Sequence, residues 1–139
     1  MRPGDVLVNS TGVGTLGRVA QLRTATEEPA TVDTHVTIVR PIPDQFYSDF
    51  FGYMMVIIEE EIAASGEGAS GQTELSRKAL TERFIVRYPR SQSTQQAIVK
   101  KLDALSEETK ALEAIYERKQ SALAELKQSL LKKAFSGEL

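Results

Sequence analysis

The C-terminal third of this sequence constrains the fold most, because nothing in it interrupts a helix. Between Thr94 and Leu139 there is no proline and only one glycine, Gly137. Ser93 with Gln96 three residues later matches a capping box, and a glycine after two lysines suits a helix C-terminus. About 42 helical residues extend roughly 63 Å, too far to lie along a core built from residues 1–93. We therefore predict that much of this helix projects.

Apolar residues recur along this helix with the alternating spacing of four and three residues that is typical of a coiled coil. The spacing runs from Ile98 to Lys133, and its polar positions near the middle are Thr109 and Lys119. Such polar breaks cost stability but fix register or partner choice. The alternative is a surface helix packed on its own domain. The predicted interface is Ile98, Leu102, Leu105, Leu112, Tyr116, Leu123, Leu126 and Leu130.

Residues 1–93 have a different character, with all five prolines and eight of the nine glycines. Alternating apolar residues predict strands, and one longer apolar stretch with helical spacing predicts a helix that starts at Asp44 as its N-cap. That helix would end in Glu59–Glu61, which is unfavourable for the helix dipole and suggests a basic partner surface. The predicted strands are Asp5–Asn9, Gly17–Leu22, His35–Arg40 and Phe84–Tyr88, and the predicted helix is Asp44–Ile62.

These patterns together predict an α+β fold, in which a small mixed globular domain over 1–93 precedes one long coiled-coil helix over 94–139. The chain has no cysteine, which excludes disulfides, thiolate nucleophiles and cysteine-based metal sites. Its longest apolar run is about half of the roughly 20 residues that span a bilayer, and the N-terminus has no signal-peptide core. We expect no membrane association and a cytoplasmic location.

Catalytic chemistry has little support in the sequence. His35 is the only histidine, and it lies in a strand-like segment beside Asp33. A lone histidine there is more often a strand residue with a hydrogen bond than a catalytic base. There is no second histidine or cysteine for a metal cluster, and there is no nucleophile elbow. We therefore expect a protein that is not an enzyme and has no metal site.

Two polar, glycine-rich loops offer hydroxyls and backbone N–H groups that suit phosphates. The first is Asn9–Gly17 and the second is Ser65–Thr73. The first loop matches G-x-G-x-x-G by spacing, but a strand-like segment follows it, so the match is accidental. The alternative for both loops is a simple turn in which glycine supplies positive φ. Five cations, Arg77, Lys78, Arg83, Arg87 and Arg90, follow the second loop and predict a focused basic patch in an otherwise acidic region.

Four blocks of this sequence, in this order, resemble the specificity subunit of type I restriction-modification enzymes. They are GDVLVNSTGVGTLGRVA, ATVDTHVTIVRP, ASGQTELSRKALTERFIVRYP and STQQAIVKKLDAL. The most distinctive motifs are G-Q-x-x-L-S-x-x-x-L at Gly71–Leu80 and P-x5-Q-Q-x-I-V leading into the helix. The closing LKQSLLKKAFSGEL is also similar to the helical end of that family.

The resemblance implies a non-catalytic subunit in which a target recognition domain reads half of a split site on double-stranded DNA. A long helix pairs with a second copy and sets the gap between half-sites. Methyltransferase and restriction subunits dock on this frame and bring S-adenosylmethionine, ATP and Mg²⁺, so no cofactor is expected in this chain. A full subunit has two domains and two helices. This chain corresponds to the rear portion of one domain and one helix.

We therefore expect a homodimer through the long helix, antiparallel by analogy with the two helices of a full subunit. The alternative is a coiled-coil assembly module that binds little DNA by itself. The stretch Gln72–Leu80 has its own alternative role, in which it connects the domain to the base of the helix. The candidate DNA contacts are the polar Ser10, Thr11, Thr15, Gln72 and Thr73, and the cationic Arg18, Arg77 and Lys78.

Overall fold

The computed structural model describes residues 1–67 and 73–138. Their strands are β1 (Val6–Asn9), β2 (Val19–Gln21) and β3 (Val36–Val39), and their helices are α1 (Ser48–Ile57), α2 (Glu59–Ala64), α3 (Arg77–Glu82) and α4 (Gln92–Ser136). The strands form one antiparallel sheet in the order β2-β1-β3. The predicted α+β class, with a small mixed region followed by one long C-terminal helix, is confirmed.

The alternation along β1 determines which face of the sheet is covered. Val6 and Val8 are fully buried, and the side chain between them points to the opposite face, because successive residues of a strand alternate. Burial of each such side chain contributes about 1.5–3 kcal/mol. The same core cluster takes in Leu16, Phe50, Phe51, Met54, Met55, Ile62, Leu75, Ala79 and Val99.

The prediction of a fourth strand at Phe84–Tyr88 is wrong. This segment has the alternating burial of a strand, with Phe84, Val86 and Tyr88 packed against the core and Ile85 89% exposed. However, this segment is not a strand, and it pairs with no strand in the described part of the chain. Alternation reports which side chains are buried, whereas a strand also needs a neighbouring backbone to bond.

The single helix predicted over Asp44–Ile62 is two helices, and Asp44 is not its N-cap. Asp44 has a φ of 66°, and α1 begins only at Ser48. The helical path breaks at Ile58, so the three glutamates that follow occupy the first turn of α2 instead of a C-terminus. Carboxylates are favourable there. Glu59 also accepts a hydrogen bond from the Val19 N–H at 2.9 Å, so no basic partner is needed to explain these charges.

An ion pair between the buried carboxylate of Asp5 and the exposed Arg40 ties the beginning of β1 to the end of β3. The Asp5 carboxylate accepts hydrogen bonds from Arg40 Nε at 2.7 Å, from Arg40 Nη2 at 3.1 Å and from the Arg2 N–H at 3.0 Å. The bond from the Arg40 guanidinium holds the pKa of Asp5 below its ordinary value, against the opposing effect of burial. The carboxylate is therefore charged and fully bonded inside the fold.

The long helix begins earlier than the predicted capping box. Its first residue is Gln92, and the Ser91 hydroxyl accepts a hydrogen bond from the Thr94 N–H at 3.4 Å, so Ser91 takes the place predicted for Ser93. The predicted C-terminus is confirmed, because α4 ends at Ser136 and Gly137 follows with a φ of 74°. Left-handed glycine after the last turn is a common helix stop.

Gln95 anchors the first turns of α4, since its side-chain amide is completely buried. Its Nε2 donates to the carbonyl oxygens of Gln45 at 3.0 Å and Pro89 at 2.8 Å, and its Oε1 accepts from the Tyr47 N–H at 2.6 Å. The amide therefore joins α4 to the segment before α1 and to the segment after α3. All three partners of the Gln95 amide are main-chain groups. The contact therefore depends on the Gln95 side chain and not on the identity of the residues that it holds.

The chain divides into two compact units, residues 1–99 and residues 100–139. The first unit contains the sheet, α1, α2, α3 and the beginning of α4. Residues 94–99 of the predicted helical segment lie in this unit, where Gln95 and Val99 are buried. The second unit contains the remaining part of α4.

We predict that Gln95→Glu lowers the free energy of unfolding by about 2–4 kcal/mol. The carboxylate replaces the Nε2 donor, so the carbonyls of Gln45 and Pro89 lose their bonds and face a buried charge. Gln96→Glu is the matched control. It makes the same change at the next residue, whose side chain is exposed, so the free energy of unfolding should change by no more than about 0.5 kcal/mol. Urea unfolding followed by circular dichroism measures both, and equal stability of the two variants would contradict the role of Gln95.

Candidate functional site

Most of the DNA contacts predicted from the sequence lie at one end of the sheet. β1 ends at Asn9, β2 begins at Val19 and β3 begins at Val36. Both outer strands run antiparallel to β1, so these three points lie at the same end. The first polar loop joins β1 to β2 and therefore lies at this end, which we name the loop end of the sheet.

The structure brings the first polar loop beside residues 73–75, at the end of the second. The Gly12 N–H donates to the Thr73 carbonyl at 3.0 Å, and the Leu75 N–H donates to the Ser10 carbonyl at 2.9 Å. Glu74 also exchanges both backbone hydrogen bonds with Glu67. Residues 68–72 of the second loop lie outside the described residues, and the described segments 10–12 and 73–75 lie side by side although they are far apart in the sequence.

Within the first loop, several polar groups hold the loop itself. The Asn9 Nδ2 donates to the Thr15 carbonyl at 3.0 Å, and the Thr15 hydroxyl donates to the Thr11 carbonyl at 3.1 Å. Gly17 has a φ of 88°, and a Cβ there would lie 2.6 Å from the Ala63 nitrogen, so the loop needs glycine where it crosses α2. Gly12, Gly14 and Gly17 all have positive φ, as a turn requires, and the element that follows the loop is β2 and not a helix.

Thr11 and His35 meet at the surface of the loop end. Thr11 Oγ1 lies 2.9 Å from His35 Nδ1, and His35 is exposed. Asp33 accepts a hydrogen bond from the His35 backbone N–H at 2.9 Å, so this carboxylate holds a turn and not the imidazole. The sequence predicts His35 as a strand residue with a hydrogen bond rather than as a catalytic base. No local sequence signal indicates its contact with Thr11, which depends on the pairing of β1 with β3.

Ser10, unlike the other described polar residues predicted to contact DNA, lies inside the fold. It is buried, and its hydroxyl lies 2.6 Å from Thr37 Oγ1 and donates to the Val8 carbonyl at 3.4 Å. The hydroxyl therefore links β1 to β3 inside the fold. Thr73 is half-buried beside the first loop, whereas Gln72 lies outside the described residues.

The predicted cations do not share one environment. Arg77 and Lys78 are exposed at the start of α3, where the Ser76 hydroxyl caps the helix through the Ala79 N–H at 3.1 Å. Arg77 borders a depression formed by residues 31–34 and 36–38, close to the start of β3. Arg83 instead pairs with Glu67, and Arg90 borders Asp44 and Gln45.

Arg18 borders the sheet face opposite the buried valines, near Asn9 and Asp33. The loop end also carries the exposed carboxylates of Glu67 and Glu74. Positive and negative groups are therefore interspersed at this surface, which reduces the attraction for a phosphate backbone by charge alone.

The apolar positions of the predicted coiled coil remain largely uncovered in this single chain. Ile98 is half-buried and packs against the core, and Leu102 is half-buried. C-terminal to Leu102, the apolar side chains of the seam are exposed, and the exposed fraction reaches 66% at Leu123. The exposed members of the seam are Leu105, Leu112, Tyr116, Leu123, Leu126 and Leu130, with Ile115 and Leu131 beside them.

Residues 1–67 and 73–138 contain no group of three or more histidine, aspartate or glutamate side chains placed to hold a metal ion. None of the helices described here combines the length and apolar character needed to cross a membrane. Comparison with protein-family models and with curated proteins finds no match for this chain.

We predict that Arg77→Ala combined with Lys78→Ala weakens binding to double-stranded DNA and lowers its salt slope by up to about two units, because each phosphate contact contributes about one. The matched control is Arg87→Ala with Arg90→Ala, which removes the same charge elsewhere. Fluorescence anisotropy with a random-sequence duplex over a potassium chloride series measures both slopes. An unchanged slope, or an equal change in the control, would remove Arg77 and Lys78 from the interface.

Proposed function

We propose that this chain is a DNA sequence-recognition component of a type I restriction-modification system, equivalent to the rear of one recognition domain and one spacer helix. It reads part of a bipartite site on double-stranded DNA and scaffolds methyltransferase and restriction subunits. It is not an enzyme, and S-adenosylmethionine, ATP and Mg²⁺ act in the partner subunits. The observation that carries the proposal is the uncovered apolar seam of α4.

The seam supports a partner helix because its apolar side chains lie on one face. Leu112 and Leu123 are both more than half exposed. A heptad seam sustained for about five heptads is stable in water only when a second helix covers it. The flanking glutamates and lysines suit the edges of such a pair. The partner that we propose is a second copy of the same helix.

The polar seam positions favour an antiparallel pair over a parallel one. In a parallel pair in register, Lys119 would face the partner's Lys119 in the seam, and like charges there are destabilising. In an antiparallel pair centred near Ala114, Lys119 faces the partner's Thr109 instead. The same register places Leu112 against the partner's Tyr116 and Leu105 against the partner's Leu123. Between Ile98 and Leu130, each polar position then meets a polar one, and each apolar position meets an apolar one.

The loop end of the sheet supports the DNA-reading part of the proposal. It presents the Thr11 hydroxyl with His35, the exposed cation Arg77 and the neighbouring Thr73 on adjacent segments. Hydroxyl, imidazole and guanidinium groups are those that contact phosphates and base edges. The interspersed carboxylates predict that this surface binds DNA weakly by itself and usefully only in an assembly with two copies.

A second candidate function is a coiled-coil assembly module that contacts little DNA. The observation that favours it is the acidic balance of residues 1–93, together with Glu67 and Glu74 at the loop end. In this function the seam of α4 would still pair, and the methyltransferase subunits would still dock. The two candidates therefore differ in DNA reading and agree on helix pairing.

Pairing is tested by single cysteines, since the chain has none of its own. We predict that a mixture of Leu105→Cys and Leu123→Cys chains forms a disulfide-linked dimer under mild oxidation. In the proposed register these two positions face each other across the seam. Each variant alone should remain unlinked, because identical positions meet only in a parallel pair. Linkage within either single variant, or a monomer in sedimentation at tens of micromolar, would contradict the antiparallel dimer.

Function is tested by reconstitution with the cognate methyltransferase subunit. We predict that the two proteins copurify and that the complex methylates DNA at a symmetric split site. Leu112→Lys combined with Leu123→Lys should abolish both the dimer and the methylation, because it places four charges in one seam. Copurification without sequence-specific methylation would support the assembly module, and methylation by a complex of the monomeric double variant would overturn the role of pairing.

A further inference from the structure

A free strand edge faces an apolar groove on the first unit. β3 is an outer strand and pairs only with β1 in the described sheet. The Ser10 N–H donates to the His35 carbonyl, and Val8 lies opposite Thr37. Hydrogen-bonded pairs alternate along an antiparallel ladder, so residues 35, 37 and 39 bond towards β1. The N–H and carbonyl of Ile38 therefore point towards the open edge.

The groove beside this edge has a volume of about 450 Å³ and a largely apolar lining. Its lining includes Phe51, Met54 and Met55 of α1 and Leu80 of α3. Sites of this volume are large enough to hold several side chains. A free strand edge with apolar side chains beside it also promotes pairing with another strand.

The lining of the groove also includes a segment outside the sheet. Phe84 and Val86 line the groove, and they belong to the segment that has the alternating burial of a strand but pairs with none among the described residues. Four consecutive residues at the open edge of β3, residues 37–40, line the groove as well. A peptide that pairs with this edge must be extended, so the groove suits an extended peptide better than a compact ligand.

The charges around the groove indicate the sign of its occupant. Arg40 and Arg77 are among the lining residues, and no aspartate or glutamate is. Arg40 is engaged by Asp5, whereas Arg77 is exposed at the mouth. A second copy's β3 has no carboxylate to offer Arg77, because its four residues are uncharged. An acidic segment of a different protein supplies one.

We propose that this groove binds an extended, acidic segment of a partner protein, which adds to the sheet as a fourth strand beside β3. Main-chain hydrogen bonds to Ile38 supply affinity, and alternate apolar side chains enter the groove above Met54. A carboxylate of the segment faces Arg77. The proposal concerns a protein partner and does not depend on whether the loop end reads DNA.

The test uses the full chain and a synthetic peptide, acetylated and amidated, in which valines alternate with threonines and one glutamate. Amide hydrogen exchange at Ile38 should slow at least tenfold with the peptide, because its N–H gains a bond. Exchange at Thr37 and Val39 should change little, because these amides already bond β1. A peptide with lysine in place of glutamate should bind several-fold more weakly.

Two controls separate strand addition from unspecific adhesion. Ile38→Pro removes the outward N–H but no bond to β1, a place where an edge strand tolerates proline, and it should abolish peptide binding. Should that variant unfold, a peptide N-methylated at its pairing amides answers the same question and should not bind. Ile85→Lys changes an exposed neighbour that does not line the groove, and peptide binding should persist.

Several outcomes would overturn the proposal. These are unchanged exchange at Ile38 with millimolar peptide, and equal binding of the N-methylated peptide. Protection of Ile38 that rises with protein concentration without peptide would instead identify a second copy as the occupant. Binding of decanoate without binding of the peptide would identify a lipid-like site. None of these results bears on the cysteine cross-linking of α4, so the two proposals fail separately.

Discussion

The buried amide of Gln95 is the interaction on which the arrangement of the first unit depends. An amide taken out of water must have partners for its donors and its acceptor. Here they are all main-chain groups, from the segment before α1 and the segment after α3. Neither segment belongs to a helix or strand, so neither is held by the regular backbone hydrogen bonds of such an element. Gln95 thus fixes two irregular segments and the beginning of α4 at once.

The sheet is small, and polar contacts at its margins compensate for its size. Asp5 and Arg40 join β1 to β3 at one end, while Ser10 and Thr37 join the same strands at the other. Glu59 bonds the backbone of β2, which is an edge strand. These contacts explain why three short strands hold a fixed register. They also leave the outer edge of β3 as the side of the sheet where main-chain groups face a groove.

The two surfaces central to the proposed function differ in the physics that they use. The seam of α4 is apolar and periodic, so the partner helix that we propose would match it in length and spacing, and area excluded from water would supply the energy. The loop end is polar, with carboxylates among its cations, so under the same proposal it would supply selectivity more than affinity. Pairing through the seam would then link two weak DNA-reading surfaces, which is how the proposed assembly would gain useful DNA binding.

Local patterns in the sequence determined the long helix, its glycine stop, the three strands and the α+β class, because periodicity, propensity and capping act within a few residues. They also predicted Thr11, Thr73 and Arg77 as polar groups on loops or helix starts. Only the tertiary structure decided that the first loop meets residues 73–75, that Thr11 contacts His35, that Ser10 is buried and that Phe84–Tyr88 pairs with no strand among the described residues. It also decided the break at Ile58, which turned an unfavourable row of glutamates into a favourable first turn. Each of these depends on which distant backbone lies alongside, and no local spacing encodes that.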